Sequence, residues 1–241
     1  MSVPTTRAPD EPLSYPERVG RFSWLCVALL GAWTVWAVWL YPYVVRTMPN
    51  QLLANALLPR IVCWILPCGI YLAAVRARVS AESLAATFPL GARQVLRALL
   101  AFSLVALLLV VGTASQRNTS PVELVTSLVE HAQPRLVAPV FEELVFRSIL
   151  LAEALDWARA TSSTPRQLHQ KFWGAQLFVA AFFTAIHVPY WLSQNGFSAT
   201  LTSCGPLLMT GLVLGLVFAT TRSLWVCIAL HWLNNELSLL P

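Results

Sequence analysis

Charged residues make up only 11% of this 241-residue sequence, while 57% of it is hydrophobic. An ordinary soluble domain carries about 25% charged residues. The shortage excludes a water-soluble globule, and a mean hydropathy of +0.63 fits an integral membrane protein built as a helical bundle. The net charge is +5 and the pI near 9.2. The basic residues are scattered between apolar runs, so they orient the chain in a lipid bilayer and imply no nucleic-acid partner. A disulfide framework is also lacking. Of five cysteines, Cys26, Cys63, Cys68 and Cys227 lie within apolar runs and Cys204 at the edge of one. An odd number with no metal-knuckle spacing reads as small buried hydrophobes. No His-Glu-x-x-His run is present, no small-residue cleavage site closes the first apolar run, and no fixed period repeats. These gaps remove the usual zinc-protease helix, a cleaved signal peptide and a solenoid.

What is there is a series of apolar runs. Residues 1–21 hold four prolines and mixed charges and read as a disordered tail. A first span follows over Phe22–Leu40. Trp33, Trp36, Trp39, Tyr41 and Tyr43 crowd its far end as an interfacial aromatic belt. A second span covers Ala56–Val75. Arg60 lies at its start, snorkelling to the interface, and Pro67 predicts a kink. Residues 76–95 read as a polar connection, and Leu96–Gly112 as a third span. Ser120-Pro-Val-Glu123 is a capping box that opens a short amphipathic helix on the membrane surface. A fourth span is expected over Arg135–Trp157, with Glu153, Asp156 and Arg159 as interfacial charge. A polar loop is expected over 159–171, containing a solvated His169. Three more spans follow, over Phe172–Trp191, Cys204–Thr220 and Leu224–Leu240. Gly211 and Gly215 form a small-residue packing face on the sixth. The fold class is therefore all-α, a polytopic transmembrane bundle of about seven spans.

Ionisable groups inside the fourth span demand an explanation, because charge within a bilayer is expensive and usually functional. Pro139 suits the first turn of a helix. Glu143 and Arg147 stand four apart, acid first, so they share a face and can pair. Glu142 is rotated about 100° away and has no partner in its own segment. One carboxylate is neutralised and the other is left over as a base.

Seven spans put the termini on opposite sides. Eleven basic residues then fall on the side of the N-terminal tail, and three (Arg46, Arg117, Arg135) on the other. The positive-inside rule places the N-terminus in the cytoplasm. The same arithmetic sets Glu142, His187, His231 and Asn235 at similar depth, in the outer half of the bilayer. His231 and Asn235 are four apart and point together into the bundle. A carboxylate with a histidine can activate water. A second histidine with an amide can stabilise an oxyanion. No serine or cysteine at this depth has an obvious base, which argues against a covalent nucleophile.

Three motifs stand in order on successive core helices: Glu142-Glu143-Leu-Val-Phe-Arg147, Phe183-Thr-Ala-Ile-His187 and His231-Trp-Leu-Asn-Asn235. Together they resemble the CAAX protease and bacteriocin-processing family of glutamic intramembrane endopeptidases. The run Gly215…Ser223-Leu-Trp…Ile228…His231 resembles that family's C-terminal signature. The resemblance covers about residues 135–240. It implies that Glu142 and His187 activate a hydrolytic water, that His231 and Asn235 stabilise the oxyanion, and that Glu143 and Arg147 hold the site in register. It implies no cofactor. The chain then divides into the tail (1–21), three spans plus an interfacial helix (22–134) and a catalytic four-helix core (135–241). The partner is a protein or peptide substrate at the membrane, in a bacterial inner membrane. The outward site favours an exported or membrane-anchored substrate over a cytoplasmic prenylated one. Two other readings use the same residues: a zinc site of Glu142, His187 and His231, and a non-proteolytic immunity or scaffold protein. A proton-relaying transporter ranks below them.

Overall fold

A computed structural model describes residues 15–47, 57–75, 92–131 and 136–239. Most of the 1–21 tail and of the 76–95 connection lies outside the described residues. The described residues are almost all helical, with no strand among them. Helix α1 (Tyr15–Val35) begins with Pro16 and Glu17 in its first turn, residues that suit a helix start through fixed φ and favourable charge. It runs through a π turn (Trp36–Leu40) into α2 (Tyr41–Thr47). Helix α3 (Leu58–Arg60) runs through a second π turn (Ile61–Ile65) into α4 (Leu66–Val75). Then come α5 (Ala92–Arg117) and α6 (Pro121–His131). Helix α7 (Val137–Glu143) passes through a third π turn (Leu144–Leu151) into α8 (Ala152–Ala160). Helices α9 (Pro165–Thr221) and α10 (Leu224–Leu239) complete the chain. Among the described residues three helical stretches are long and apolar enough to cross a bilayer: Val19–Val44, Leu96–Arg117 and Pro165–Thr221. Leu58–Ala73 is a shorter apolar helix. Length and hydropathy thus single out three candidates where the sequence pattern leads one to expect seven.

Caps follow the expected chemistry where they are described. Ser120 N donates to Glu123 Oε2 (2.9 Å), and Glu123 N donates to Ser120 Oγ (3.1 Å), which makes the capping box of α6 reciprocal. The polar loop expected over 159–171 is mostly helix. Only 161–164 lie outside helices, because Thr164 caps α9 by accepting from Gln167 N (3.2 Å) with Pro165 at its first position. Thr164-Pro-Arg-Gln167 is itself a capping-box pattern, so the start of α9 was legible. His169 is exposed on that helix.

Helix α9 has 57 residues, about 85 Å at 1.5 Å per residue, and a bilayer's hydrocarbon core is only about 30 Å thick. It is in fact two helices that meet at Gly196, where φ is 77° and ψ 177°. The two arms fold back on each other. A Cβ on Gly211 would lie 3.2 Å from Ala180 Cα, and one on Gly215 would collide with Gln176. These two pairs are placed almost symmetrically about Gly196, the register of an antiparallel hairpin. Gln176 donates to Gly215 O (3.3 Å) across the contact. Glycine at 211 therefore lets the backbones approach, as the spacing suggests, and glycine at 215 leaves room for the Gln176 side chain. Gly196→Ala forces a Cβ into a backbone region that is nearly glycine-only, at a cost of about 1–3 kcal/mol. The expected result is a lower thermal midpoint in detergent, followed by the fluorescence of the many tryptophans. An unchanged midpoint would mean that the hairpin does not need this φ.

One hydrophobic core joins the early helices to the later ones. Trp64, Phe146 and Phe183 are fully buried in it, with ring centroids of Trp64 and Phe146 at 6.0 Å and of Phe146 and Phe183 at 4.9 Å. Trp33 and Trp36 are buried there too, while Trp39 and Tyr43 are 70% and 67% exposed. The expected aromatic belt is therefore divided. Helix rotation turns the first pair inward and leaves the second outside. Glu153 is likewise buried, whereas Asp156 and Arg159 form an exposed pair at 3.0 Å. The cysteines of the described chain are all free thiols. Helix α5 presents Leu96, Leu99, Leu100, Leu104, Leu107 and Leu108 outward, a surface that suits lipid.

Candidate active site

Four helical elements bring the polar residues together. Glu142 and Glu143 end α7, and the π turn that follows carries Arg147. His187 comes from the first arm of α9, and His231 with Asn235 from α10. π turns often sit beside functional residues because they break the regular side-chain spacing. Here π turns begin directly after Val35, Arg60 and Glu143.

The two adjacent glutamates divide as their 100° offset requires. Glu143 is fully buried, and its Oε2 accepts from Arg147 Nε at 2.8 Å, the expected i,i+4 pair. Its Oε1 is 2.8 Å from His231 Nδ1. Glu142 lies on the other side of the same imidazole, its Oε2 3.5 Å from His231 Nε2 and 3.7 Å from His187 Nε2. His231 is thus held between two carboxylates. Glu143 has a wider part than register-keeping, because it anchors a histidine 88 residues away.

Hydrogen-bond partners assign the imidazole protons. His187 Nδ1 is 2.7 Å from Phe183 O, which can only accept, so Nδ1 carries the hydrogen. A neutral His187 then offers Nε2 as an acceptor toward Glu142. His231 Nδ1 faces a carboxylate and likewise carries a hydrogen. It can donate at Nε2 only as the imidazolium. Phe183 organises this arrangement beyond its carbonyl. Its ring contacts those of His187 (4.8 Å) and His231 (5.8 Å), and the Arg147 guanidinium lies 5.3 Å above it.

Glu142, His187, His231 and Asn235 line one cavity of about 390 Å³. Its wall is completed by Trp33, Tyr41 and Arg60 from the early helices and by Tyr190, Trp191 and Leu207 from α9. A second cavity of about 710 Å³ shares Trp191, Leu207 and Asn235 with it and extends toward Arg117 and Ser238.

Two expectations are corrected here. Glu142 is not without a partner, because Arg60 Nη2 lies 3.3 Å from its Oε1. Arg60 does not reach for the interface. Its side chain is 13% exposed, and its guanidinium sits 5.5 Å from the Trp64 ring and 5.9 Å from Trp33. The missed signal was a lone cation inside an apolar span, the same anomaly that singled out the acids. Among the described residues no three His, Cys, Asp or Glu side chains are arranged to hold a metal ion. The Arg60 cation takes Oε1 of Glu142 and leaves Oε2 toward His187 and His231.

Residues 125–237, just under half of the chain, match a family model described as type II CAAX prenyl endopeptidase Rce1-like. The match includes all six motif residues and excludes Arg60. No curated protein matches the chain, and neither does any solved structure.

Proposed function

Starting from a segment, residues 125–237, that belongs to the CAAX protease and bacteriocin-processing family, we propose that this integral membrane protein is a glutamic intramembrane endopeptidase. The observation that carries the reading is the opposition of Glu142 Oε2 and His187 Nε2 at 3.7 Å. With a neutral His187 both are acceptors, so neither satisfies the other directly. A water seated against them donates one hydrogen to each, at about 2.8 Å, and turns a lone pair toward the cavity. Glu142 takes the proton as that oxygen attacks the peptide carbonyl carbon. The carbonyl oxygen becomes an oxyanion and is met by the His231 imidazolium at Nε2 and by the Asn235 side-chain amide. Collapse of the tetrahedral intermediate breaks the C–N bond, and the departing nitrogen takes the proton back from Glu142. No covalent enzyme intermediate is formed.

The substrate is a membrane-anchored or exported protein or peptide, entering through the larger cavity beside Asn235. The chain crosses a bacterial inner membrane about seven times with its N-terminus in the cytoplasm, and the site opens toward the outer half. Support for this comes from the asymmetry of the basic residues and the common depth of the four polar positions.

Comparing the termini of membrane and secreted proteins between cells that contain the chain and cells that lack it tests the reading. New termini should appear with the chain, clustered at the outer membrane–water boundary of their proteins. An identical set of termini in both would leave an immunity or scaffolding role. New termini confined to cytoplasmic boundaries would reverse the orientation.

A further inference from the structure

We infer that Arg60 is a positioning residue for the Glu142 carboxylate, supplied by the early helices from outside the family-matched segment. This rests on Glu142 being the base. Four observations converge. Arg60 Nη2 touches Oε1 of Glu142 (3.3 Å), while the other oxygen, Oε2, faces both histidines. Arg60 and Glu142 line the same cavity. The guanidinium packs against the rings of Trp33 (5.9 Å) and Trp64 (5.5 Å), both buried and themselves 4.8 Å apart, so residues of α1 and of the turn after Arg60 both contact it. The chain widens into a π turn immediately after Arg60, which offsets the side chains that follow it from regular helical spacing.

A carboxylate with two free oxygens rotates about its terminal bond, because that torsion is broad. Tethering Oε1 to a cation that packs on two buried rings restrains this rotation. Oε2 is then left in the one direction where His187 and His231 meet it. The cation also offsets the desolvation of an anion that is 4% exposed. Lysine would supply the charge but neither the planar fork nor the ring contacts. Glutamine would supply neither the charge nor the fork of donors. The early helices are thus part of the working site.

The test follows the rate at which Glu142-dependent termini appear on the cell's own membrane proteins after induction of the full chain. It compares wild type, Glu142→Gln, Arg60→Gln and Arg60→Lys at equal level. Arg60→Gln should slow the rate on the order of 10²-fold, the effect of misplacing a reacting group by about an ångström, and Arg60→Lys should recover part of that loss. A wild-type rate in Arg60→Gln overturns the inference. So does an Arg60→Lys rate as low as that of Arg60→Gln, which would make the role one of packing. Termini that persist in Glu142→Gln overturn the proteolytic reading itself, and this role with it. If Arg60→Gln does not accumulate, the double variant Arg60→Gln/Glu142→Gln decides. Its recovery to normal level shows that the unpaired carboxylate was the fault and supports the pair. Its failure to accumulate overturns the inference.

Discussion

Glu142→Gln should remove the termini that appear with the chain, lowering the cleavage rate by about 10²–10⁴-fold, while the protein stays folded in the membrane. The amide keeps the size of the carboxylate, and its oxygen still accepts from Arg60, so the wall of the cavity keeps its shape. What it cannot do is take a proton from water. The effect should fall on the turnover rate, because a base acts in the transition state rather than in binding substrate. The measurement counts labelled termini over time in cells that hold equal amounts of wild type and variant. Unchanged termini with an intact biological phenotype would favour a binding or scaffolding protein. Loss of both termini and protein would mean instead that Glu142 is needed to fold.

Glu143→Gln should behave differently, although it is the next residue. Glu143 and Arg147 are both fully buried and 2.8 Å apart. Removing one charge of a buried pair strands the other, which costs about 3–5 kcal/mol. The thermal midpoint in detergent should fall on the order of 10 °C, using the usual relation for chains of this size. Activity should fall as well, because His231 loses the acceptor that fixes its ring. Replacing both members, as Glu143→Gln with Arg147→Met, should restore much of the midpoint, since a buried pair is often replaceable by apolar packing. It should not restore cleavage. Equal midpoints for Glu143→Gln and wild type would show that the pair carries little stability. Cleavage recovered in the double variant would show that His231 needs no anchor. The contrast between neighbours is the sharpest test of this site, with chemistry at Glu142 and scaffold at Glu143.

Much of the site could be read along the chain, and the reason is local. A helix repeats every 3.6 residues, so residues four apart share a face whatever surrounds them. That alone pairs Glu143 with Arg147 and turns Glu142 away from both. The same rule sets His231 and Asn235 together. Capping is local too, as Ser120 and Glu123 show. So is the small-residue face of Gly211 and Gly215, which their four-residue spacing alone places on one side of the helix.

The contacts between helices were not legible in this way. Arg60 and Glu142 are 82 residues apart, and Glu143 and His231 are 88 apart. Whether such residues meet depends on how each helix is rotated and how deep it sits. In a soluble protein the apolar stripe would report that rotation. In a membrane it does not, because lipid is as apolar as the core. Trp33 and Trp39 are both tryptophans on one helical run, yet one is buried and the other 70% exposed. The sequence by itself determined that this chain is a helical membrane protein with an acid, two histidines and an asparagine on inward faces. Only the tertiary structure decided which carboxylate holds His231, that Glu142 has a cation beside it, and that the early helices close the cavity. Helical periodicity is a property of a single segment, whereas a site is a property of how segments are turned toward one another.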